Sequence, residues 1–97
     1  MPRYVVLVNW TDQGVRNYKD TKERADAFAS AIQTLGGQLV DFYWTLGSYD
    51  MVAITDAPDD ETATAGLLKV GSLGNVRTTT MRAFSRDEVG RIIAKAG

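Results

Sequence analysis

The sequence predicts an α+β domain, a four-stranded antiparallel sheet with elements in the order βαββαβ and one further helix at the C terminus. Three observations carry that prediction. Apolar residues recur at helical spacing in two internal segments and again at the end of the chain. Between them lie β-branched and aromatic runs too short for helices. Glycine pairs and acidic clusters mark the places where one kind of segment gives way to the next.

Tyr4 to Trp10 is almost continuously apolar and reads as a central strand buried on both faces. The polar stretch from Thr11 to Lys19 reads as a loop. Asp20 to Leu35 reads as a helix: Asp20 and Glu23 have capping-box spacing, Ala25, Phe28, Ala29, Ile32 and Leu35 form one stripe, and Gly36-Gly37 stops it. Gln38 to Leu46 reads as a second strand, with Val40, Phe42, Trp44 and Leu46 on one face and Leu39, Asp41, Tyr43 and Thr45 on the other. Gly47-Ser48 is short enough for a tight hairpin turn into a third strand, Tyr49 to Thr55.

Pro58-Asp59-Asp60-Glu61 opens a second helix, where proline suits the first turn and the acids complement the helix dipole. Its stripe is Ala63, Leu67 and Val70, and Gly71 and Gly74 end it. Asn75 to Phe84, with Thr78-Thr79-Thr80, reads as the fourth strand. Ser85 and Glu88 form another capping box, and Val89, Ile92, Ile93 and Ala96 give the terminal helix its stripe. This order matches the ferredoxin-like split βαβ arrangement, whose right-handed crossovers put both long helices on one face of the sheet. Residues 1–97 are expected to form one domain.

Composition narrows the function. Eleven basic and twelve acidic residues leave a net charge of −1, no electrostatic footprint for nucleic acid or anionic lipid. The chain has neither cysteine nor histidine, which removes disulfides, thiolate chemistry, the commonest metal ligand, the Ser-His-Asp triad and haem ligation through histidine. No cofactor and no metal site is expected. No apolar run approaches the roughly 20 residues of a membrane helix, and the N terminus turns polar too soon for a signal peptide, so a cytoplasmic location is expected.

Two helices cover one sheet face, yet the other is not painted polar. Tyr4, Val5, Val6, Leu7 and Val8 cannot all face the helices, and Met51, Val52, Ala53 and Ile54 have the same property. An apolar face of that extent marks an interaction surface, and pairing with a second copy would bury it. A homodimer is the first expectation, with higher homo-oligomers open. The alternative is that the terminal helix folds across that face within one chain.

Leu46-Gly47-Ser48-Tyr49-Asp50, Pro58-Asp59-Asp60, Gly71-Ser72-Leu73-Gly74-Asn75-Val76-Arg77 and Thr80-Met81-Arg82-Ala83-Phe84 together resemble the GYD-domain family of small bacterial proteins. The likeness runs from Tyr4 to Phe84, although the glycine stands one place earlier than the family's name implies. The resemblance implies a ferredoxin-like domain related to dimeric α/β barrels and no established reaction.

Strong chemical groups are then carboxylates, tyrosines, lysines and arginines. Asp50 and Tyr49 are the candidate acid/base pair, or else Asp50 accepts backbone N–H groups at the turn while Tyr49 packs at the sheet end. Asn9, inside an apolar strand, would line a small pocket with Thr79 and Tyr43 or make a structural hydrogen bond. Arg77 and Arg82 fall on opposite faces, where one could bind a ligand carboxylate or pair with Asp41 or Asp50, or else they stay solvated at the sheet edge. Trp10, Tyr43 and Trp44 serve packing or stack against a flat ligand. Asp59-Asp60-Glu61 lacks the loop spacing of a calcium site, and Gly71-Ser72-Leu73-Gly74 lacks the lysine of a phosphate loop. The first functional expectation is an oligomer that binds a small organic molecule through Asn9, Tyr43, Tyr49, Asp50, Thr79 and Arg82, or that docks a protein partner as an assembly. The second is a cofactor-free enzyme using Asp50 and Tyr49 on a small substrate.

Overall fold

The computed structural model describes residues 1–97. Its strands are β1 (Arg3–Trp10), β2 (Gln38–Trp44), β3 (Met51–Asp56) and β4 (Val76–Ala83). Its helices are α1 (Asp12–Arg16), α2 (Thr21–Thr34), α3 (Asp60–Ser72) and α4 (Arg86–Ala96), with a single 3-10 turn at Tyr18–Asp20. The sheet order is β2-β3-β1-β4, with every neighbouring pair antiparallel. This is the ferredoxin-like arrangement expected from the element order.

Alternation along β1 divides the sheet into two faces. Tyr4, Val6 and Val8 are buried against α2 and α3, and Met51, Ala53 and Thr55 of β3 join them. The core proper is Val6, Val8, Met51 and Ala53, closed by Phe28, Leu39, Phe42 and Leu67 among others. Only 8 of 97 residues are buried, so a single chain has a thin core. The radius of gyration is 14.5 Å, above the roughly 13 Å of a compact chain of this length.

Local structure departs from the sequence expectations at several points. The segment 11–20 is not an open loop: Thr11 caps α1 by accepting the Gly14 N–H, and the 3-10 turn then leads into α2. Gly14 is required because Asn75 packs against it, and an added Cβ would stand 1.9 Å from the Asn75 carbonyl oxygen. Asp20 has near-helical backbone angles and makes no side-chain cap, so its spacing to Glu23 does not form a capping box. Pro58 precedes the α3 cap, which is Asp59 accepting the Thr62 N–H at 2.8 Å. Gly71 lies inside α3, and the chain turns at Gly74, whose φ of +82° suits glycine.

β2 carries a register shift between Leu39 and Asp41. The shift spends Val40 as the extra residue, so Leu39 and Phe42, not Val40 and Phe42, share the helix-facing side. The hairpin is also wider than a two-residue turn: β2 ends at Trp44, β3 starts at Met51, and Leu46 at the tip is fully exposed. The Ser85–Glu88 capping box is present in both directions. The helix it starts does not cover the open face, because α4 has no buried residue and Val89, Ile92 and Ile93 remain 40–64% exposed.

Candidate functional site

Cross-strand register defines what the open face presents. Asp41, Ile54, Val5 and Met81 lie in one row across β2, β3, β1 and β4, and Tyr43, Val52, Leu7 and Thr79 lie in the next. Val5, Leu7, Val52, Ile54 and Met81 therefore form one contiguous apolar ladder. The central strands leave them half-buried by their neighbours, whereas Met81 on the edge strand is 46% exposed.

Charge frames the ladder. In the row beyond Val5 and Ile54, Arg3 grips Asp56 in a two-pronged ion pair, Nε to Oδ1 at 2.8 Å and Nη2 to Oδ2 at 3.1 Å. The Arg3 guanidinium holds the Asp56 carboxyl below its usual value, against a smaller upward push from burial. Asp41 is exposed at the β2 margin and Arg77 at the β4 margin, where Arg77 lies opposite Asn9.

The segment 45–50 closes one end of this face. β3 enters the sheet only at Met51, opposite Val8, which would leave the last N–H of β1 without a partner on that side. The Asp50 carboxylate supplies the missing acceptor: its Oδ2 accepts the Trp10 N–H at 2.9 Å, while the Asp50 N–H donates to the Val8 carbonyl at 2.8 Å. Across the loop the Thr45 N–H donates to the Asp50 carbonyl at 2.9 Å, and the Thr45 hydroxyl donates to the Tyr49 carbonyl at 2.6 Å. Gly47 turns the chain with φ +109°. The Gly-Ser-Tyr-Asp motif is thus a latch that joins the hairpin to the end of β1.

Asn9, Tyr43 and Thr79 share the open face, and Tyr49 and Asp50 are half-buried at its end. Within one chain nothing encloses this group, since Tyr43 is 57% exposed. Arg82 is separate. It lies opposite Tyr4 on the helix side, with its guanidinium 4.6 Å from the Phe84 ring centre and 5.8 Å from that of Tyr4. Its charged partner is Glu88 at 3.7 Å, not Asp41 or Asp50, and it also donates to the Ala83 carbonyl. Tyr4 is buried there and donates to Asp60 Oδ1 at 2.5 Å; burial, reinforced by that carboxylate, pushes its phenol up to about 12. This buried phenol was not legible as special, because in the sequence Tyr4 is one more residue of an apolar run. No group of three or more carboxylates converges in a way that would hold a metal ion. No helix is long and apolar enough to cross a membrane.

A family model described as the GYD domain matches residues 4–93. The chain belongs to the GYD-domain family. It is 32% identical over 85 residues to a Thermus thermophilus protein named glutamine synthetase and cystathionine beta-lyase binding protein, a match covering 87% of this chain and 90% of that one. A crystal structure of a Thermus thermophilus protein superposes with a TM-score of 0.57 at 29% identity, covering 88% of this chain and 95% of the other. The fold also matches MtbAldR, with a TM-score of 0.60 at 16% identity, over 88% of this chain. It matches the Mycobacterium tuberculosis leucine response regulatory protein LrpA, with a TM-score of 0.57 at 13% identity, over 87% of this chain. This chain spans about half the length of those two regulators, 52% and 51% respectively. At such identities they show the shared fold alone.

Proposed function

We propose that this chain is a non-catalytic binding subunit that pairs with its own copies through the open sheet face and, so assembled, docks on a metabolic enzyme. The observation that carries the reading is the apolar ladder of Val5, Leu7, Val52, Ile54 and Met81. Burying such a side chain completely contributes about 1.5–3 kcal/mol, so finishing the burial of one already half-covered contributes roughly 1 kcal/mol. Summed over both copies, this is about 10 kcal/mol before association costs of about 4–15 kcal/mol, enough to make pairing feasible. Asp41 and Arg77 at opposite margins give a face-to-face pair complementary charges when β2 of one copy lies over β4 of the other.

In such a barrel-like pair, Asn9, Tyr43 and Thr79 line the seam, with Tyr49 and Asp50 at its end. A small organic ligand would sit there; Arg82, on the helix side, falls outside it. The engagement of Asp50 with the main chain favours a binding role over acid/base chemistry. The partner class is taken from the relative's name: glutamine synthetase or cystathionine β-lyase, met in the cytoplasm.

Analytical ultracentrifugation of the purified chain with each host enzyme tests the reading. The expected result is a faster-sedimenting complex with at least one enzyme, lost on Leu7→Arg. Absence of co-sedimentation with either enzyme would remove the proposed partners, and a complex unaffected by Leu7→Arg would remove the open face from the account.

A further inference from the structure

A second candidate surface lies on the opposite side of the sheet, independent of the docking reading. α2 and α3 do not close over the sheet along their whole length. Between them runs a cleft of about 170 Å³, comparable to a cavity that holds one benzene ring. Its floor is Val8, Met51 and Val76. Its gap has a sequence cause: α2 contributes Ala25, Ala27 and Ala31 to its lining, short side chains that leave the space unfilled.

The charged groups around this apolar slot are of one sign. Arg24 of α2 and Lys69 of α3 both line it, and no carboxylate does. Arg24 Nη1 is buried without a hydrogen-bond partner, while Nη2 stands 3.9 Å from Asp20 Oδ2, beyond hydrogen-bond reach. A buried guanidinium N–H left unpaired is costly, and the group that satisfies it best is a planar carboxylate, which can accept two of its N–H groups.

We infer that this cleft binds a small apolar monocarboxylate, its ring-sized or short acyl body on Val8, Met51 and Val76 and its carboxylate on Arg24, with Lys69 adding attraction. Size, apolar floor and paired cations together set the class. A second carboxylate on the body would be pressed against the apolar floor, and an uncharged amide offers Arg24 one acceptor oxygen without the charge.

The test is an amide chemical-shift titration of the full chain with phenylacetate and, separately, with 2-phenylacetamide. Phenylacetate is expected to give saturable shifts at Val8, Ala31, Val70 and Thr78, and the amide to bind at least tenfold more weakly. Arg24→Gln should weaken phenylacetate at least tenfold and leave the amide's affinity unchanged. Ala31→Leu, with its fold verified by the dispersion of its own spectrum, should abolish binding of both. Arg24→Gln keeps the inference testable where the filled variant fails to fold. Shifts confined to the open sheet face, no shifts at all, equal affinity for acid and amide, or undiminished binding by folded Ala31→Leu would each overturn it.

Discussion

Asp50→Ala separates a structural carboxylate from a catalytic one. The substitution deletes the acceptor of the Trp10 N–H, a 2.9 Å bond from main chain to carboxylate in a half-buried setting. Hydrogen bonds to charged groups contribute about 1.5–3 kcal/mol, and partial exposure favours the lower part, about 2 kcal/mol. In a domain of this length 1 kcal/mol moves Tm by about 4–8 °C, so the expected drop is about 8–16 °C. Asp50→Asn keeps an acceptor oxygen without its charge and should cost about half as much. Thermal melts by circular dichroism, at one fixed protein concentration because pairing would make Tm concentration-dependent, measure both. Hydrogen exchange at the Trp10 amide, which should accelerate in Asp50→Ala, locates the loss. An alanine variant that melts with the parent and keeps Trp10 protected would refute the latch.

Other predictions test the packing and the titrating groups. Gly14→Ala drives a Cβ into the Asn75 carbonyl and should cost about 3 kcal/mol in urea unfolding, whereas Gly71→Ala, inside a helix with open space around it, should stabilise by about 0.5–1 kcal/mol. Tyr4 has its folded pKa raised from 10.0 to about 12, so its contribution is intact below pH 10 and is lost as pH rises from about 10 toward 12. Tyr4→Phe should flatten that alkaline decline and remove the last-titrating phenol from the ultraviolet titration. Asp56 is depressed by Arg3, so its contribution is present above its ordinary value of 3.8 and is lost as pH falls through the lower folded value; Asp56→Asn should reduce the slope of stability against pH below about 4.

The fold was legible because strand and helix periods differ and because β1 is apolar on successive residues, which alternation must divide between two faces. That division implied an apolar open face, and burial of Tyr4, Val6 and Val8 under the helices assigns Val5 and Leu7 to it. The errors arose where one residue changes the geometry. Val40 reads as part of a regular alternation, and only pairing with β3 reveals that it is the extra residue of a shifted register. Asp20 and Glu23 have the spacing of a cap, but the preceding 3-10 turn gives Asp20 the wrong backbone angles. Asp50 was identified as either base or turn acceptor, and its actual partner, the N–H of Trp10, is distant in sequence and set by topology. The cleft was illegible for the same reason: Ala25 reads only as one member of an apolar stripe, and the shortness of Ala25 and Ala31 matters only once α3 and the sheet line the other sides of the gap.

Native mass spectrometry of the purified chain tests the central claim most directly. The main species is expected at twice 10.6 kDa or a higher whole-number multiple, and Leu7→Arg is expected to convert it to a folded 10.6 kDa species. A parent protein that flies as a single 10.6 kDa chain at micromolar concentration would contradict it.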